Sequence, residues 1–185
     1  MVQHAEIFDV PGMLLVGSTG GNADRTEFAC RVIETFRKTR EIIAVRVTPL
    51  DRARGDHADS GRAHGVRSPL TGLCAIAKET DGRHAQDTSR FLAAGATRVL
   101  SLQVTEARVR ERLKALLDSI RQDALWVCES SSIRCAVKPG VFLMVENGLS
   151  ESHGQSAEAM RECVDCTVRS TPTTRSFDFD VSRLR

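Results

Sequence analysis

The chain has 185 residues, the length of one domain, and 41% hydrophobic with 27% charged residues, the balance of an ordinary soluble globular protein. A formal net charge of +2, no dense basic run, no Tyr and one Trp argue against nucleic acid as a partner. The opening MVQHAEIFDVPG lacks a basic start and a long apolar core. The longest apolar runs (MLLV, ALWVC, VFLMV) fall far short of the ~20 residues that span a bilayer, so a cytoplasmic protein with no membrane partner is expected.

In chain order, residues 13–16 form a short apolar run closed by Gly17, which predicts a buried strand. Phe28, Val32, Ile33 and Phe36 recur at helical spacing and predict a helix over about 24–38. EIIAVRV, residues 41–47, reads as a second strand. Residues 48–85 are dominated by Gly, Asp, His, Arg and Pro, without an apolar period. They predict a long loop, the least ordered region and a lid or docking surface. Asp87 or Thr88 caps a short helix that Gly95 ends, and residues 97–104 form a strand. Residues 106–121 place Val109, Leu113, Leu116, Leu117 and Ile120 on one helical face. Strands at 124–128 and 141–145, a short helix around 155–163, a strand at 166–168 and an extended piece at 177–181 follow. This alternation predicts one α/β domain over 1–185, with a mostly parallel sheet covered on both faces. Residues 14–16, 42–47, 99–102 and 125–128 are its expected inner strands.

The turn between the first strand and first helix carries the strongest chemical signal. The first N–H groups of a helix lack partners within it, its dipole favours an anion, and a glycine turn lets backbone wrap phosphate oxygens. The full phosphate-loop pattern is G-x-x-x-x-G-K-[ST]. With Thr26 aligned as the hydroxyl, Arg25 takes the Lys position, Asp24 the second Gly and Thr19 the first. Only the hydroxyl stays in register; the position between first strand and first helix favours a phosphate-loop origin, against the alternative that GSTGGN is merely a tight turn. Asp24 sets a carboxylate beside a phosphate site, and the planar head of Arg25 does not reproduce the point charge of Lys.

Glu129 follows the apolar strand ALWVC at the carboxyl edge of the sheet, where α/β ligands bind. It could hold magnesium or orient a water there, or be a solvated acid at a strand end. His57, His64, Cys74 and His84 lack the paired spacing of a zinc site. Cys163-Val-Asp-Cys166 is a lone C-x-x-C, for which core packing is the expectation. The six cysteines are expected to be reduced.

With those residues in place, the chain resembles the MobB-type molybdopterin-guanine dinucleotide biosynthesis adaptors, which are P-loop proteins. VGSTGGNADRT resembles the family's loop ending N-S-G-K-T, through Asn22 and Thr26. QDTSRFLAAGATRVL resembles its K-D-[ST]-x-R…A-G-A block, through Asp87, Thr88, Arg90, Ala94, Gly95 and Ala96. ALWVCESSS resembles the strand ending in its acidic residue, here Glu129, and KPGVFLMV a following strand. The resemblance implies a three-layer P-loop NTPase fold that binds GTP or ATP with magnesium. It also implies an accessory role in molybdenum-cofactor maturation beside the proteins of that pathway, often as a homodimer. The nucleotide would be held by Gly17, Ser18, Thr19, Gly20, Gly21, Asn22, Arg25 and Thr26, and magnesium by Thr26 and Glu129, with Asp87 and Arg90 as further motif residues. Because Asp24 and Arg25 depart from the pattern, weak or lost turnover is expected. The alternatives are an active NTPase or small-molecule kinase using Arg25, and a metal-handling protein using the loop His and Cys residues.

Overall fold

Along residues 13–16 the side chains alternate: Met13 and Leu15 enter one apolar cluster, Leu14 and Val16 another. A strand buried on both faces must be covered on both faces. The computed structural model of the chain describes residues 7–19, 22–49, 66–67, 76–79, 87–119, 123–130, 132–147, 160–171 and 176–184. The strands are β1 (Phe8–Ser18), β2 (Ile42–Pro49), β3 (Val66–Arg67), β4 (Ile76–Glu79), β5 (Arg98–Val104), β6 (Leu125–Glu129), β7 (Val137–Asn147), β8 (Cys166–Thr171) and β9 (Ser176–Phe177). The helices are α1 (Asn22–Phe36), α2 (Asp87–Ala94) and α3 (Val109–Ser119).

The sheet runs β3-β4-β5-β2-β6-β1-β7-β8-β9. Every pairing from β5 across to β8 is parallel, while β3, β4 and β9 add antiparallel edges. The four expected inner strands are β1, β2, β5 and β6, adjacent and parallel. Phe28, Val32 and Ile33 of α1 and Phe91 and Ala94 of α2 cover one face. Val109, Leu113 and Leu116 of α3, with Ile133 from the short 3₁₀ turn Ser132–Cys135, cover the other. The fold is a three-layer α/β domain. No helix among the described residues is long and apolar enough to cross a membrane.

Local chemistry explains the boundaries. Gly95 adopts φ +107°, and the N–H groups of Gly95 and Ala96 donate to the carbonyls of Leu92 and Phe91, closing α2. The helix expected over 106–121 starts as a 3₁₀ turn (Glu106–Arg108) and becomes α-helical at Val109. β1 begins at Phe8, well before the apolar run, and its register against β7 shifts between Val10 and Leu14. Pro11 and Gly12 thus sit in a bulge of one strand, ahead of residue 13 where the apolar run begins.

The long-loop reading of 48–85 needs correction. β2 continues to Pro49, and β3 and β4 lie inside the segment, β4 pairing with β5. Edge pairing runs through backbone groups and needs no apolar alternation. The rest of that segment, including His57, His64, Cys74 and His84, lies outside the described residues, as does most of the helix expected around 155–163.

Candidate functional site

Because β1, β2 and β6 are parallel, their carboxyl ends lie along one edge of the sheet, and α1 begins there at Asn22, shortly after Ser18 ends β1. Glu129 closes β6 opposite Val16 of β1 and Arg46 of β2. It shares a face with Val127, which packs under α1, so its carboxylate points toward the first turns of that helix.

Arg25 and Thr26 meet it. The Thr26 hydroxyl lies 3.2 Å from Oε1 and 3.1 Å from Oε2 of Glu129, donating to the carboxylate. Arg25 donates from Nε to Oε1 at 2.9 Å, and its second nitrogen lies 2.9 Å from the same oxygen. The Glu129 side chain is 0% exposed and that of Arg25 11%. The alternative of a solvated acid at a strand end therefore does not describe Glu129. A carboxylate taken wholly out of water needs a paired cation and hydrogen bonds, and α1 supplies both from adjacent residues.

Asp24, one residue earlier, turns away from this cluster. Its Oδ2 accepts a 2.9 Å hydrogen bond from the Ser170 hydroxyl of β8. Arg90 of α2 forms an ion pair with Glu27 of α1, tying the two helices together. Thr88 is buried on α2, and Asp87 opens that helix. Gly17 is tightly packed: a Cβ there would meet Phe142 Cε2 at 3.0 Å and Met144 Sδ at 3.2 Å. The backbone around the turn is anchored by Thr19 N–H to the Val145 carbonyl (3.2 Å) and Ser130 N–H to the Val16 carbonyl (3.1 Å). Ser18 and Thr19 are half-buried beside it. Gly20, Gly21 and the side chain of Asn22 lie outside the described residues.

The structure thus brings together Arg25, Thr26 and Glu129, and places Asp87 and Arg90 on the neighbouring helix. Ser170 went unnoticed because nothing local to it signals a role. Arg46, the one charge inside the apolar stretch IIAVRV, lies level with Glu129. The C-x-x-C reading needs correction: Cys163 is exposed and only Cys166 is partly packed, since the pair sits where a 3₁₀ turn leads into β8 near the edge of the sheet. Burial pushes the Cys128 thiol up, and the Glu129 charge pushes the same way. Among the described residues no group of three or more His, Cys, Asp or Glu could hold a metal ion. A groove of about 990 Å³, lined by Pro11, Met13, Phe36, Leu125 and Leu184 among others, opens at the opposite end of the strands.

No family model, curated protein or solved structure matches the chain.

Proposed function

We propose that this chain is a nucleotide-binding-type accessory protein whose NTP turnover is weak or lost. The observation that carries the reading is the meeting of Arg25, Thr26 and the buried Glu129 where β1, α1 and β6 converge. Ligands of parallel α/β sheets bind outside the carboxyl ends of the strands. A helix N-terminus at that edge favours anions, so a phosphate ester is the natural ligand class. Turnover needs an acid available to orient water or hold a metal, and Glu129 is committed to an arginine. That commitment favours an adaptor over an active NTPase or kinase.

Assignment to molybdenum-cofactor biosynthesis, with GTP or ATP as ligand, the pathway's proteins as partners and a homodimer, rests on the resemblance to MobB-type adaptors, and a cytoplasmic setting rests on the shortness of the apolar runs in the sequence. The magnesium ion that this resemblance brings would find Thr26 and Glu129 adjacent but already bound to each other and to Arg25, and no step is assigned to it.

Titration of the purified chain with GTP and ATP, alongside phosphate release, tests the reading. The wild type should bind with a dissociation constant on the order of 10⁻⁴ M or weaker and release no phosphate above background. Asp24→Gly with Arg25→Lys should tighten binding about tenfold, equivalent to ~1.4 kcal/mol, and Thr26→Ala in that background should remove the magnesium-dependent part. Steady phosphate release by the wild type, or no gain in the double variant, would overturn it.

A further inference from the structure

Thr26 and Glu129 are both 0% exposed, and the arginine that covers them keeps only 11% of its side chain exposed. Magnesium demands oxygen ligands at about 2.0–2.1 Å in a near-octahedral shell and usually retains several waters. This pocket meets neither demand. The Thr26 hydroxyl stands at O–H···O hydrogen-bond distance from both carboxylate oxygens, 3.1–3.2 Å, with its proton engaged by the carboxylate. Oε1 already accepts two nitrogens of Arg25 at 2.9 Å. A guanidinium stays protonated throughout the accessible pH range, so a divalent ion brought to the same carboxylate meets a fixed positive charge a few ångströms away.

We infer that Arg25 is a built-in cation standing where a divalent metal would otherwise sit on Glu129 and Thr26, so that this site holds its phosphate-bearing ligand without magnesium. The ligand class rests on the reading above, whereas exclusion of the metal rests on the geometry alone. Asp24 does not restore a metal site, because its carboxylate is held by Ser170 on β8. The charge of Glu129 is balanced within the protein. The positive end of α1 then faces the ligand without a competing free acid from β6.

Two measurements on the full chain decide it. Mn²⁺ uptake, followed by loss of the free-ion electron paramagnetic resonance signal, needs no nucleotide. Wild type and Glu129→Gln should take up equal amounts of Mn²⁺. Arg25→Met should gain one equivalent that Arg25→Met/Glu129→Gln lacks. Arg25→Gln, which removes the cation but keeps a hydrogen-bond donor beside Glu129, is the second variant should Arg25→Met not fold, and it should gain Mn²⁺ uptake relative to wild type. An equivalent of Mn²⁺ bound by the wild type and lost in Glu129→Gln overturns the inference, as does equal uptake by wild type and the folded Arg25 variant. The second measurement compares GTP and ATP affinity of the wild type in EDTA and in magnesium. A change below about threefold, ~0.65 kcal/mol, supports the inference and a larger loss in EDTA overturns it. If neither nucleotide binds, the accessory-protein reading fails, and the Mn²⁺ comparison still decides whether Arg25 excludes the metal.

Discussion

Glu129 has no exposed surface, and α1 supplies its charge partner. Removing Arg25 takes its paired cation from a buried carboxylate, whereas removing both charges removes the desolvation problem as well. Arg25→Met should therefore destabilise the fold by about 3 kcal/mol, the lower end of the range for breaking a buried pair, because the arginine keeps some contact with solvent. Arg25→Met/Glu129→Gln should recover most of that loss in urea denaturation, and strictly additive single losses would show that the pair is not coupled. The thiols give a second test. Burial pushes Cys30 up from 9.0 to about 12, and Cys128 is raised for the same reason. Both thiols hold their protons in the folded chain at pH values where the unfolded chain releases them. The stability they contribute is full below pH 9 and falls as pH rises toward 12. Cys30→Ala should flatten that alkaline decline in denaturation midpoints. At pH 8, Cys30 and Cys128 should react with a thiol reagent on the order of a hundredfold slower than exposed Cys135 and Cys163. Thr26 and Glu129 were legible in the sequence through one hydroxyl in register and one acid after an apolar strand. Their union through Arg25 was not, since 104 residues separate the ion-pair partners, and 146 separate Asp24 from Ser170. Local patterns carry no information about such pairings.

At the scale of elements, strands buried on both faces were readable as apolar runs, and helices as repeats of Phe, Val, Ile and Leu. The start of β1 was hidden by Pro11-Gly12, a dipeptide that lies ahead of the apolar run and here forms a bulge. Its partner across the register shift is Gly140, where a Cβ would run into the Pro11 carbonyl. Gly140→Ala must displace backbone rather than a side-chain tip, so it should cost about 3 kcal/mol, the upper part of the usual overpacking range. Gly17→Ala presses on the ring of Phe142 and the flexible Met144 sulfur, and should cost about 1 kcal/mol. Equal losses from the two variants, in matched denaturation curves, would contradict this reading of the bulge. β3 and β4 escaped notice because so few residues cannot establish a period. They are held by the neighbouring strand rather than by their own composition.

Across the whole molecule, the last described segment acts as a strap over α1. Phe177 and Phe179 approach Phe28 edge-on at ring-centroid distances of 5.1 and 6.1 Å, and the Arg31 guanidinium carbon lies 5.1 Å from the Phe177 centroid. Asp180 caps the following 3₁₀ turn by accepting from the Ser182 N–H at 3.0 Å. Aromatic pairs contribute ~0.5–1.5 kcal/mol each beyond area. Phe177→Ala with Phe179→Ala should therefore lower the melting temperature by roughly 3–8 °C. An unchanged melting temperature would mean that the strap adds nothing to the core. The strand order has a consequence for the making of the protein. β1 lies between β6 and β7, so among the described residues the sheet neighbours of residues 8–18 are at 125–129 and 137–147. During synthesis the chain emerges from its N-terminal end and folds as partners become available. β2 and β5 can pair early, but β1 stays an apolar strand with two bare edges until residues 125–147 have left the ribosome. A chain halted before residue 125 carries that strand unpaired, which makes it a target for holding chaperones and a nucleus for self-association.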